Sequence, residues 1–559
     1  MDLIIRNAQI FDGLGGQATH GDVAVKAGMI VAIGENLNGT GAEEIDAGGL
    51  SLMPGIIDSH THFDAQITWD PTLAPSSSLG VTSVVIGNCG FTIAPCRPRD
   101  RDLVMRNLTQ VEGMSIDVLR QGVNWNFESF PQYMDAIEQR GMSTNVAAFI
   151  GHSSIRTYVM GADAVERAAN SNELGQMKKI VEDGMAAGAI GFSTSTAPQH
   201  NGHAGVPMPS RMADPYELEI LVNAMGHDGK GIFMLTKGAQ TEVSFLESLA
   251  NSSNRPIMIA ALLHNSTKPE ATFDELAAIG EARGRGHELW GQISCCPLTN
   301  DFTLKSAYPM EGLNAWKPAM KVQGEDLKAL LMDPDFRQNV KNELLQPLDG
   351  RLFNSEWHKL ELIEVNYPKN QHLEGKTVDL LAAEAGQEPF DWMLDFSVSE
   401  DLETLFTAVL LNSDEDAVGR MIRDPNASVA LSDAGAHLTF FCDAGFGLHL
   451  MGHWARDLGA ITLPEAIHEL TTKPAKIFRI PKRGKIEVGY HADLLLFDPA
   501  TVARGAKHRV HDLPGGEARL TTDAVGVHGT WVNGVQVANQ NGIIESDQKP
   551  GELLRDFYK

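Results

Sequence analysis

The sequence predicts an α/β protein, a (β/α)8 TIM barrel with a small β-sandwich domain built from both termini. Three observations predict it. Eight short apolar runs alternate with amphipathic stretches of helical period, the pattern of a parallel barrel. The two ends of the chain share a different texture, short β-prone runs between Gly- and Asn-rich turns. Histidine, cysteine and aspartate recur just after the apolar runs, where barrel enzymes place their chemistry.

Residues 1–54 form the N-terminal part of the β-domain. Leu3-Ile4-Ile5, Asp22-Val23-Ala24-Val25 and Met29 to Ile33 are its strands, with turns such as Gly13-Leu14-Gly15-Gly16. Residues 479–559 complete it through Gly484-Lys485-Ile486, Ala492 to Phe497 and Val525 to Val537. Between them, residues 55–478 hold the barrel. Its strands are expected at Leu52–Asp58, Thr82–Gly87, Asn145–Ile150, Ala189–Phe192, Gly231–Leu235, Pro256–Leu263, Glu288–Ile293 and Ser428–Leu431. Leu174–Ala187 and Pro215–Met225 are two of the intervening helices. An open doubly wound sheet is the competing fold, but no Gly-x-Gly-x-x-Gly follows an early strand. One connection is too long for a βα loop, an insertion at about 297–426. It contains helix-like pieces (Gly324–Met332, Thr377–Ala385, Phe390–Phe396) and an aromatic part, Tyr308 to Trp316. It reads as a lid or an oligomer interface, and a homo-oligomer is expected.

Composition narrows the function. The 559 residues carry a formal net charge of −27, which repels nucleic acid and anionic membrane surfaces. No run approaches the length of a membrane-spanning helix, and Met1 to Asn7 lacks the form of a signal peptide. Five cysteines (Cys89, Cys96, Cys295, Cys296, Cys442) are few and odd in number, against a disulfide framework. A cytoplasmic enzyme acting on a small molecule is the expectation.

The strand ends supply its chemistry. His60 and His62 are two apart, so both imidazoles leave one face of the first strand and can hold one divalent metal. The bland reading is a pair of polar residues where a strand meets solvent. Later strands end in Asn88-Cys89-Gly90, Gly151-His152, Thr236-Lys237, His264-Asn265 and Ser432-Asp433. His60, His62 and His264, with a thiol and a carboxylate, make a candidate site for one or two zinc ions. A carboxylate at its edge can accept a proton from an activated water. Cys89 reads equally as a small buried hydrophobe. His152 reads as a group that orients others, while His437 and His453 cap or pack.

These stretches carry a resemblance. Ile-Arg-Asn-Ala-x-Ile-Phe-Asp-Gly (5–13), Pro-Gly-Ile-Ile-Asp-Ser-His-Thr-His (54–62), Gly-Val-Thr-Ser-Val-Val-x-Gly-Asn-Cys-Gly (80–90), Gly-His-Ser-Ser-Ile-Arg (151–156), Gly-Ala-Ile-Gly-Phe-Ser-Thr-Ser (188–195), Ser-Asp-Ala-Gly-Ala-His (432–437) and Gly-Tyr-His-Ala-Asp-Leu-Leu-Leu-Phe-Asp-Pro (489–499) span almost the whole chain. Together they resemble the metal-dependent amidohydrolase superfamily, in its branch of N-acyl-D-amino-acid deacylases (D-aminoacylases). The resemblance implies the barrel and the two-ended β-sandwich. It implies zinc on His60 and His62, with Cys89 in the place a carboxylated lysine usually fills, His264 as the strand-six histidine, and Asp433 as metal ligand and general base, then acid. It implies hydrolysis of a linear amide, an N-acyl amino acid, by metal-activated water. Cyclic amides, carbamates and lactones are a second class open to the same site, and a silent barrel used for binding is a third.

One position departs from the pattern. Branch members carry a histidine ligand in Thr-His-x-Arg at the end of strand five, where this chain has Thr236-Lys237-Gly238-Ala239. Lys237 is then a carboxylated ligand, a cation that holds an anionic substrate or an oxyanion, or a bystander. Arg156 and His152 are candidates to bind substrate, the guanidinium being suited to a carboxylate. Phe63, Trp69, Trp290, Phe302, Tyr308, Trp316, Phe440, Phe441 and Phe446 raise the expectation of a bulky or aromatic acyl group, unless they are core.

Overall fold

The computed structural model describes residues 1–111, 113–202, 205–346, 351, 353–436 and 443–559. His437, Phe440, Phe441 and Cys442 therefore lie outside the described residues. The chain forms two compact units. The first comprises residues 1–262, 275–295 and 421–559, and the second residues 263–274 and 296–420.

The apolar runs of the first unit form an eight-stranded, curled parallel sheet. Its strands are β1 (Ile56–Asp58), β2 (Val81–Ile86), β3 (Asn145–Gly151), β4 (Gly191–Ser195), β5 (Ile232–Thr236), β6 (Ile257–Leu262), β7 (Leu289–Ile293) and β8 (Ala427–Val429). Each pairs with its sequence neighbour, as right-handed βα units dictate. Nearly every residue in them is buried, which is why most of them read as largely apolar runs. The first and last strands meet just beyond their ends. There Thr61 bridges Ala434 in parallel, and the His62 N–H donates to the Ala434 carbonyl at 2.7 Å.

The helices obey their terminal signals. Three matter for the site, namely α1 (His152–Met160), α2 (Ser171–Ala186) and α3 (Pro215–Met225). At α2, Asn170 accepts from the Glu173 N–H at 3.1 Å and Glu173 reaches back to the Asn170 N–H at 2.8 Å, a capping box. At α3, Asp214 caps and Pro215 takes the first turn.

The chain ends share a nine-stranded sheet. Its joint is Ser51–Pro54 running antiparallel to Leu494–Phe497. Leu52, Leu494, Val23, Ile5 and Trp531 fill one continuous apolar core, so neither terminus buries its apolar residues alone. Val527–Val532 and Val535–Asn539 form a hairpin whose two turn residues, Asn533 (φ 46°) and Gly534 (φ 78°), have the left-handed backbone a tight hairpin requires. Gly484-Lys485-Ile486, expected as a strand, is irregular, and the Ile486 N–H bonds to the Asp12 carbonyl.

The second unit has its own core, with Phe302, Trp316, Leu331, Phe336 and Phe406 among its members. Helices Gly324–Leu331, Val378–Ala385 and Pro389–Ser399 lie where the sequence reading placed helical pieces. That reading missed a three-stranded antiparallel sheet with Leu405–Leu411 between Leu298–Phe302 and Leu360–Glu364. Leu405–Leu411 alternates partly and fully buried positions, as a strand covered on one face does. Four of the aromatic residues expected around a substrate, Phe63, Phe302, Trp316 and Phe446, are core side chains at most 3% exposed. Trp290 is covered by the Arg283 guanidinium, 3.6 Å from its ring. The argument for a bulky acyl group loses these residues. Among the described residues, no helix is long and apolar enough to cross a membrane.

Candidate metal centre

The turns after β1, β2 and β8 bring four polar side chains to one place. His60, His62 and Cys89 are buried, and their ligand atoms all lie within 4.8 Å of one another. Asp433 Oδ1 is 3.4 Å from His60 Nε2 and 3.6 Å from His62 Nε2. Cys89 Sγ is 3.5 Å from His60 Nε2.

Each side chain is held by its backbone. Cys89 sits in the left-handed region (φ 57°), a conformation that costs about 1–3 kcal/mol and persists where the surroundings impose it. The surroundings do so here. The Gly87 N–H donates to Asp64 Oδ2 at 2.9 Å, and the Gly90 N–H to Ser193 Oγ at 3.1 Å. A Cβ at Gly90 would come within 3.0 Å of the Ser193 carbonyl, so the cysteine turn lies flat on the end of β4. Thr236, the last residue of β5, donates its hydroxyl to Cys89 Sγ at 3.0 Å. On the other side Ser432 Oγ donates to the His60 carbonyl at 3.2 Å. Gly435 (φ 92°) lets the β8 turn approach the His62 backbone, where a Cβ would stand 2.6 Å away.

The electrostatics follow from this crowding. Burial pushes the Cys89 thiol up, yet the His60 and His62 imidazoles outweigh it and draw it down to about 7. Burial pushes His60 down, while the sulfur of Cys89 and the Asp433 carboxylate raise it above its ordinary value. Two imidazoles, a thiolate and a carboxylate are all ligands that zinc accepts. A cluster that gathers a carboxylate and a thiol of lowered pKa is also one that a divalent cation stabilises. The donor set fits the metal.

The model of the amidohydrolase family matches residues 43–305 and 362–538. The chain belongs to the amidohydrolase family. Among its relatives is the D-aminoacylase of Alcaligenes xylosoxydans xylosoxydans, 27% identical over 557 residues that cover 99% of this chain and 97% of that one. The N-acyl-D-aspartate deacylase of the same organism is 28% identical, over 99% and 95% of the two chains. In fold, this amidohydrolase is similar to the crystal structure of N-acyl-D-glutamate deacylase from Bordetella bronchiseptica, complexed with zinc and a phosphonate inhibitor that mimics the tetrahedral intermediate. The TM-score is 0.66 at 24% identity, and all of both chains is covered.

Three further candidate residues of this amidohydrolase have partners of their own. Arg156 is the first. It is wholly buried on α1, bonded through Nη1 to both oxygens of Glu217 (2.6 and 2.5 Å) and through Nη2 to the Ala164 and Arg167 carbonyls. His152 is equally buried and has both ring nitrogens engaged, Nδ1 with Thr194 Oγ1 at 2.8 Å and Nε2 with Glu217 Oε1 at 2.7 Å. Burial lowers its pKa, so it is a neutral donor to an ionised Glu217. This network braces β4 beneath the cysteine turn.

Lys237 is the third. Side chains alternate along a strand, and Thr236 points to Cys89, so Lys237 points the other way. Its Nζ is 2.6 Å from Glu275 Oε1 on helix Ala271–Gly284. That ion pair favours the bystander of the three readings. Lys237→Ala is expected to leave zinc per chain and KM unchanged and to cost at most about 1 kcal/mol, checked by elemental analysis and steady-state kinetics. His264 belongs to the second unit, where its N–H donates to Asn412 Oδ1 at 2.7 Å and its ring lies 6.4 Å from Phe273.

Sequence reasoning missed Gln292, which lies inside β7 with Oε1 2.6 Å from His60 Nδ1. A fully buried amide in the run Leu289-Trp290-Gly291-Gln292-Ile293 was the available signal. It missed Glu217 as well, because an acid in the first turn of a helix reads as a helix-start signal.

Proposed function

We propose that this chain is a zinc-dependent hydrolase of a linear amide, an N-acyl amino acid, with the D series as its first candidate. The observation that carries the reading is the convergence of His60, His62, Cys89 and Asp433 at three strand ends of one parallel sheet. Length-wide similarity to D-amino-acid deacylases supports the substrate class. The bridge between Thr61 and Ala434 supports reading the eight strands as a (β/α)8 barrel spanning 55–478, with 1–54 and 479–559 as its β-sandwich domain.

His60, His62 and Cys89 would hold the zinc, which would supply Lewis acidity to activate a water near neutral pH and to polarise the amide carbonyl. Asp433 does the proton work. Its carboxylate, 22% exposed, is the one member of the cluster with substantial access to solvent and substrate. Oδ1 takes the proton of the attacking water and then gives it to the amide nitrogen, so the amine leaves neutral. The thiolate and imidazoles sit too deep for that exchange. The substrate is a small anionic amide, since an N-acyl amino acid keeps its carboxylate.

The test is a panel of N-acetyl-D- and N-acetyl-L-amino acids with acidic and apolar side chains, with hydantoin and dihydropyrimidine rings beside them. Release of free amine from the D series is expected, lost on chelation and restored by zinc. Cleavage of the rings alone, or activity indifferent to chelation, would overturn the reading.

A further inference from the structure

The sequence places a glutamine where an apolar residue would pack as well, in the middle of β7, with every neighbour along the strand apolar. Burying an unpaired primary amide costs about 1–3 kcal/mol by protein measurements. Gln292 meets that cost with two specific bonds. Its Nε2 donates to Ser59 Oγ at 3.2 Å, and its Oε1 lies 2.6 Å from His60 Nδ1. As placed, the amide turns its nitrogen toward Ser59 and its oxygen toward the ring.

A carbonyl oxygen only accepts, so in this orientation His60 Nδ1 carries the proton. In the neutral ring that ligates a metal, the lone pair is then on Nε2, the atom that faces Cys89 Sγ at 3.5 Å and Asp433 Oδ1 at 3.4 Å. The ring is held in both tautomer and rotation from a strand on the far side of the sheet order from β1.

We propose that Gln292 is a positioning residue of the metal centre, selecting the His60 tautomer that ligates through Nε2. The proposal rests on the zinc reading above. It assigns Gln292 no contact with substrate or reacting atoms. A partner behind a ligating histidine is typically worth about 10–100-fold in metal affinity.

Zinc affinity of the full chain, measured by competition with a chromophoric chelator, tests it in Gln292→Met and Gln292→Glu beside wild type and His60→Ala. Gln292→Met keeps the length and removes the acceptor, and binding should weaken by about 10–100-fold. Gln292→Glu keeps an acceptor for Nδ1–H, and binding should be at least as tight as in wild type. With cobalt in place of zinc, the visible ligand-field bands should change in Gln292→Met and return in Gln292→Glu. Affinity in Gln292→Met within twofold of wild type overturns the proposal, as does a Gln292→Glu variant that binds as weakly as Gln292→Met. Should Gln292→Met fail to fold, weakened zinc binding in Gln292→Glu overturns it alone. If wild type binds no more zinc than His60→Ala, the metal reading falls first, and this inference with it.

Discussion

Asp433→Asn should lower kcat by about 10²–10⁴-fold while the zinc stays bound. Asparagine matches aspartate in shape, so it can occupy the same turn between Ser432 and Ala434. It cannot accept the water's proton, and it has none to return to the amine. Because the loss falls on the proton transfer and not on docking, KM should move far less than kcat. His60, His62 and Cys89 still converge without the carboxylate, so metal content measured on the same sample should be that of wild type. A kcat within tenfold of wild type would assign the proton transfer to another group.

The largest expected loss of stability comes from Arg156, for a reason unrelated to substrate. Its guanidinium and the Glu217 carboxylate are both nearly inaccessible, and His152 leans on the same carboxylate. Arg156→Met strands a buried charge, which costs about 3–5 kcal/mol, to be read from the denaturant midpoint. Whatever enzyme folds should keep its KM, because the guanidinium is buried against Glu217. A raised KM with unchanged stability would restore the carboxylate-binding role.

The same network carries a pH dependence. Burial pushes Glu217 up, but bonds from His152 and the charge of Arg156 more than offset it and hold the carboxyl at about 2, below the ordinary value of about 4.3 in an unfolded chain. A depressed carboxyl stabilises the fold fully above its unfolded value. That contribution is lost as pH falls from about 4 toward 2. Denaturant midpoints of wild type should therefore fall below pH 4, and those of Glu217→Gln should fall less steeply over the same interval. Parallel curves would count against the assignment.

The sheet was legible because its signal is local and repeated. Each buried strand is a run such as Val81–Ile86 or Ile257–Leu262, bounded by polar or turn residues. Helix Pro215–Met225 begins and ends with the amphipathic segment that predicted it. The metal cluster was legible in part, since His60 and His62 are two residues apart and Asn88-Cys89-Gly90 is distinctive. What the sequence hid were partnerships across distance. Arg156 and Glu217 lie 61 positions apart, and neither alone tells whether a charge is spent inside or offered outside. Lys237 looked functional because it replaces an expected histidine, yet the alternation of side chains after Thr236 turns it to Glu275. Gln292 and His60 lie 232 positions apart, joined only when β1 and β7 enter one sheet. The aromatic residues misled for another reason, because ring size says nothing about which side of a strand or helix is core.

The central claim is that His60, His62 and Cys89 hold the zinc on which hydrolysis depends. Elemental analysis of the purified chain tests it most directly, on wild type and on the double variant His60→Ala/His62→Ala, with amide hydrolysis assayed on the same samples. The account predicts at least one tightly held zinc per chain in wild type, and loss of both metal and activity in the double variant. Equal zinc in the two proteins, or full activity in a double variant without metal, would contradict it.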